Sequence, residues 1–130
     1  MIQVTGLLIT SLLFGGMVLY SFGFAAFLFS ALPSPIAGAT LRRAFPHFYL
    51  FVLITALLAA ALTWPEDKMS ASFLMIIALT TIPTRQSLMP AINRATDTGA
   101  KSRFRLLHSV SVLISLGHIA LAAVVLARFL

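Results

Sequence analysis

The candidate functional residues of this sequence are mainly histidines and hydroxyl-bearing residues. One of the histidines, His118, lies deep in an apolar stretch. His118 follows Ser111 and Ser115 at spacings of seven and three residues, which places all three on one stripe of an α-helix. At a rise of about 1.5 Å per residue, His118 falls near the middle of the stretch that begins after Arg105. An imidazole there could hold a metal ion or haem, or relay protons.

A simpler interpretation than a metal, haem or proton-relay site is that His118 forms a hydrogen bond with a neighbouring helix. Three threonines in other apolar stretches are candidate partners: Thr55, Thr80 and Thr81. A haem or metal centre normally takes further ligands, and the sequence has no cysteine and no acid inside an apolar stretch. We therefore predict no cofactor, with haem or a metal at His118 as the open alternative.

His47 and His108 form a second candidate site. Each lies near one end of an apolar stretch, beside arginines, so the two rings could meet at the membrane surface. Two histidines are too few ligands for a structural zinc ion, and Asp97 is the only acid nearby. Bonding of each ring to backbone or to a lipid phosphate is the alternative.

Four apolar stretches must position these residues. No charged side chain precedes Arg42, and none occurs in residues 44–65, 69–84 or 106–127. A composition of 60% hydrophobic and 9% charged residues, with a mean hydropathy of +1.04, is that of an integral membrane protein. We predict an all-α, four-helix membrane bundle that forms a single domain over residues 1–130. Its helices are expected at about residues 5–31, 45–64, 70–89 and 101–129, with a short interfacial helix at 36–43 after Pro33-Ser34-Pro35.

Basic residues are unevenly distributed over the loops. Two are predicted on one side of the membrane, Lys68 and Arg128, and seven on the other. Short loops rich in Lys and Arg stay cytoplasmic, so both termini are predicted to face outward, into the periplasm of a bacterium. Six of the seven are candidate contacts for anionic lipids: Arg42, Arg43, Arg94, Lys101, Arg103 and Arg105. Their position at membrane ends argues against a nucleic-acid partner.

Small residues in the first helix predict close helix packing. Ser11 and Gly15 are four residues apart, and Gly23 follows two turns later. No carboxylate lies where it could assist hydrolysis, so we predict no enzymatic activity. The leading interpretation is an accessory or structural subunit that packs against other membrane proteins or itself. An oligomeric transporter or resistance protein for small molecules or metals, and a haem- or metal-binding protein, remain as alternatives.

Several motifs also indicate a family. They are Gly15-Gly16-Met17 followed by aromatic residues, Arg42-Arg43-Ala44-Phe45-Pro46, and Phe-x-x-Leu-His-x-x-Ser at 104–111. With these motifs the chain resembles, over nearly its whole length, the small four-helix membrane proteins that include mammalian transmembrane protein 205. The resemblance implies a four-helix membrane domain of no established activity. The mammalian member is associated with resistance to platinum drugs.

Overall fold

Four helices account for nearly all of the chain. The computed structural model describes residues 1–130 and contains no strand. Helix α1 spans Ile2–Ala31, α2 spans Ser34–Thr63, α3 covers residues 68–97 and α4 spans Lys101–Arg128. Each helix packs against its neighbours in sequence, and α4 also packs against α1, which closes the bundle. The predicted all-α, four-helix fold is confirmed.

Three of the helices are long and apolar enough to cross a membrane: α1, α2 and α4. Their most apolar 18-residue windows have mean hydropathies of 2.0, 2.0 and 2.4. Only 17% of the window residues of α1 and of α4 are buried in the bundle. Apolar helices with so little buried surface are typical of proteins solvated by lipid. The structure therefore indicates a membrane protein.

Helix α3 is divided by a change of helical pitch. Its regular α-helical part is Lys68–Pro83, a π-helical turn covers Thr84–Leu88, and α-helix resumes over Met89–Asp97. Pro83 has no N–H to donate to the preceding turn, and the hydrogen-bond ladder widens directly after it. The helix ends at Asp97, eight residues beyond the predicted end at 89.

The predicted separate interfacial helix at 36–43 is wrong. These residues form the first turns of α2, which starts at Ser34 and continues through Pro46 to Thr63. Proline inside a helix removes one backbone hydrogen bond. Here the rings on either side of Pro46 pack together: Phe45 lies 5.7 Å from Phe48 and 5.8 Å from Tyr49, measured between ring centroids. These contacts join the turns before and after the proline.

Helices α1 and α2 approach each other closely through glycine and aromatic residues. The ring of Tyr20 stacks on that of Phe48, with centroids 4.7 Å apart. At Gly16, a Cβ atom would lie 2.6 Å from Cε1 of Phe51. Near the chain ends, a Cβ at Gly6 would lie 3.5 Å from the Thr63 hydroxyl and 3.7 Å from the Phe129 ring. Both chain termini therefore lie at the same end of the bundle, beside the turn between α2 and α3.

The contact at Gly16 gives a test of this packing. Replacement of Gly16 by leucine should lower the free energy of unfolding by about 1–3 kcal/mol, because the new side chain must displace Phe51. Gly117→Leu is the matched control, since no atom lies within 4 Å of a Cβ at that glycine. Unfolding by a denaturing detergent in dilute micelles measures both variants, and equal losses of stability would contradict the packing.

Candidate functional site

His118 is a buried side chain joined to a neighbouring helix. It is 8% exposed, and its Nε2 lies 2.7 Å from Oγ1 of Thr80 on α3. Of the three threonines considered from the sequence, Thr80 is thus the partner. The hydroxyl of Thr80 also donates to the carbonyl of Ile76 at 2.7 Å.

The two contacts of Thr80 favour one tautomer of His118. A threonine hydroxyl has a single hydrogen, and the carbonyl of Ile76 accepts it. The short contact between Thr80 and His118 then needs a second hydrogen, which only Nε2 can supply. With the hydroxyl hydrogen directed at Ile76, a neutral ring donates from Nε2 and presents Nδ1 as an acceptor; we assign this tautomer from the hydrogen-bond network.

A small cavity of about 10 Å³ lies beside His118, in the middle of the bundle. It is lined by residues of α1, α2 and α4: Met17, Ser21, Phe48, Tyr49, Val52, Ser115 and His118. Ser115 therefore shares a site with His118, as their spacing predicted. Ser111 does not line this cavity, and its hydroxyl donates to the carbonyl of His108 at 2.7 Å. Sequence patterns gave no sign of Ser21, because the site combines residues from three helices.

The structure does not show His47 and His108 brought together. Both side chains are exposed, and α2 and α4 are not among the helix pairs with substantial contact. The ring of His108 stacks on Phe104 of its own helix, with centroids 5.4 Å apart and planes inclined by 7°. No group of three or more His, Cys, Asp or Glu residues that could hold a metal ion is found in the structure.

The candidate lipid-binding residues lie at one end of the bundle, which we call the basic end. Arg42 of α2 donates two hydrogen bonds to Asp97 of α3, at 2.7 and 2.8 Å. These bonds lower the pKa of Asp97 from its ordinary value. The other members of the set are exposed: Arg43, Arg94, Lys101, Arg103 and Arg105. Lys101 and Arg105 line an open groove with Phe104, where α3 meets α4.

An ion pair at the opposite end was not predicted from the sequence. Asp67 caps α3 by accepting from the backbone N–H groups of Met69 and Ser70 at 3.0 and 3.2 Å. Arg128, near the end of α4, donates to the same carboxylate at 2.8 and 3.0 Å. The guanidinium of Arg128 and the hydroxyl of Ser70 hold the pKa of Asp67 well below its usual range. The sequence offered a sign of the cap alone: aspartate is a preferred N-cap residue, and Asp67 lies just before the third apolar stretch.

Ser11, Gly15 and Gly23 all have exposed positions on α1. No atom lies within 4 Å of a Cβ at Gly15, and the nearest atom to one at Gly23 belongs to Leu19 of the same helix. The predicted close approach of a second helix at these residues is therefore not made within this chain. Gly6 and Gly16 are the glycines of α1 that contact α2.

The hydrogen bond between Thr80 and His118 can be tested by substitution. Thr80→Val should destabilise the bundle by about 1 kcal/mol, because the buried Nε2–H loses its acceptor. Thr81→Val is the control: Thr81 is buried and donates to the carbonyl of Ile77, with no bond to His118. Detergent-induced unfolding of both variants, each alone and combined with His118→Leu, measures the coupling. Additive losses for Thr80→Val and His118→Leu would contradict the bond.

Comparison with known families places the chain in one of them. The family model described as Domain of unknown function (DUF4149) matches residues 8–101, which include most of α1, all of α2 and α3, and the first residue of α4. No curated protein and no solved structure matches the chain. Because the match covers well over half of the sequence, the chain belongs to the DUF4149 family.

Proposed function

We propose that this protein is a non-catalytic membrane module, which associates through the outer face of α1 with another membrane protein or a second copy of itself. The observation that carries the proposal is the notch formed by Ser11 and Gly15. Both residues are exposed, and Gly15 faces open space. Helices in lipid associate where small residues let two backbones come close.

The use of glycine inside the bundle supports this role for the notch. Gly16 brings α1 against Phe51 of α2, so glycine in this helix already serves close packing. Gly15, its immediate neighbour, points away from the bundle with no contact. Large apolar side chains lie exposed on the same helix, among them Phe22, Phe27 and Phe29. These would extend the contact surface beyond the notch.

The proposal includes a four-span topology in a bacterial inner membrane. Helix α3 provides the fourth span, at about residues 70–89, with its π-helical turn near the basic end. The basic end faces the cytoplasm, where Arg and Lys side chains meet anionic lipid headgroups. The proposal includes a relationship to the family of transmembrane protein 205. The motif at residues 104–111, on which that resemblance partly depends, lies outside the residues 8–101 that the DUF4149 model matches.

Association through the notch can be measured with paired glycine variants. Gly15→Leu should weaken association by about tenfold or more, a loss of at least 1.4 kcal/mol, because the new side chain fills the notch. Gly117→Leu on α4, another exposed glycine without contacts, should leave association unchanged. Energy transfer between labelled chains in liposomes measures self-association, and quantitative co-purification from native membranes measures partners.

The sequence contains no cysteine, which makes a positional control simple. Ser11→Cys should form a disulfide-linked dimer in the membrane if a second copy is the partner, whereas a cysteine at the exposed Leu113 of α4 should not. The proposal fails if Gly15→Leu and Gly117→Leu have equal effects, or if the protein neither self-associates nor retains a partner.

A further inference from the structure

Four buried threonines satisfy their hydroxyl groups in the same way, whereas the hydroxyl of Ser21 has no partner. Thr10, Thr55, Thr63 and Thr81 each donate to a carbonyl four residues earlier in the same helix, at 2.7–2.8 Å. This bond satisfies a hydroxyl without help from another helix. The hydroxyl oxygen of Ser21 is the one buried side-chain polar atom that has no hydrogen-bond partner.

This exception lies in an irregular part of α1. Ser21 lies in the π-helical turn Leu19–Phe24 of α1, where the backbone bonds run over a wider turn. A buried hydroxyl left without a partner costs about 1–3 kcal/mol, so a partner from outside the helix is favoured.

His118 lines the same cavity as Ser21. His118 uses Nε2 to donate to Thr80, which leaves Nδ1 as an acceptor with no hydrogen bond. Ser21 and His118 both line the cavity of about 10 Å³, together with Ser115 and Tyr49. Two residues of the cavity wall thus carry a polar atom that makes no hydrogen bond: Oγ of Ser21 and Nδ1 of His118.

We propose that this cavity binds one water molecule, which accepts a hydrogen bond from Ser21 and donates one to Nδ1 of His118. Buried water normally makes two to four hydrogen bonds, and one molecule needs about 10–15 Å³ of such space. Ser115 and Tyr49 supply further polar groups on the cavity wall. The water joins α1 to α4 and, through His118 and Thr80, connects both to α3. The cavity is too small for haem or a drug-sized molecule unless the helices separate.

Nuclear magnetic resonance of histidine tests the proposal in the intact protein. Replacement of the exposed His47 and His108 by glutamine leaves His118 as the only histidine, which is then labelled with ¹⁵N in lipid bilayers. We expect a neutral ring protonated at Nε2, a hydrogen-bonded Nδ1, and magnetisation transfer from water to the ring. In Ser21→Ala this transfer should fall, and the Nδ1 resonance should move towards that of a free acceptor.

Ser30→Ala is the matched control, since Ser30 lies on the same helix and its hydroxyl donates to the carbonyl of Phe27 at 2.8 Å. It should leave both signals unchanged. A ring protonated at Nδ1, or an absence of transfer from water to His118, would overturn the proposal. The proposal would also be overturned if neither Ser21→Ala nor Ser30→Ala changed the water transfer or the Nδ1 resonance. If Ser21→Ala does not fold, the protonation state and water transfer of the parent protein decide the question.

Discussion

The hydrocarbon that surrounds these helices offers no hydrogen bonds, so each polar group inside the bundle depends on a partner within the protein or on a trapped water. The buried threonines meet this requirement through carbonyls of their own helices. His118 meets it through Thr80, a contact between α4 and α3. Ser21 does not, and it lies where α1 departs from regular α-helical pitch. The lack of hydrogen bonds from lipid therefore explains why the buried threonines bond to their own helices, and it identifies Ser21 as the exception.

Helix packing in the bundle depends on where side chains are small. A glycine permits a close approach only on the face it occupies, so two neighbouring glycines can have opposite roles. Gly16 is required where α1 meets the ring of Phe51, whereas Gly15 points outward and is free for another molecule. The first supports the fold and the second supports the proposed association. Membrane helices associate by contact rather than by exclusion of water, so the shape of each face determines its partners.

Much of the architecture could be predicted from the sequence, because charge-free apolar stretches and their loops follow directly from the properties of lipid. The helix count and the position of Ser115 and His118 on one stripe depend only on residue type and spacing. The continuous path through Pro46 could not be predicted, because a proline removes one backbone hydrogen bond and by itself favours a helix boundary. The same is true of the π-helical turns, and of the outward position of Gly15, which depends on how α1 is rotated in the bundle.

Helix α3 is the decisive element, because it is the shortest apolar segment and its passage through the membrane determines the topology of the whole chain. Single cysteines at Met75 and Leu79, both exposed on the bundle surface, can be probed with a membrane-impermeant thiol reagent in intact cells and in inverted vesicles. Reference cysteines at Lys68 and Arg94 lie at the two ends of α3. The account predicts that positions 75 and 79 resist labelling from both sides, while position 68 reacts from outside and position 94 from inside. Ready labelling of 75 and 79, or labelling of 68 and 94 from the same side, would contradict it.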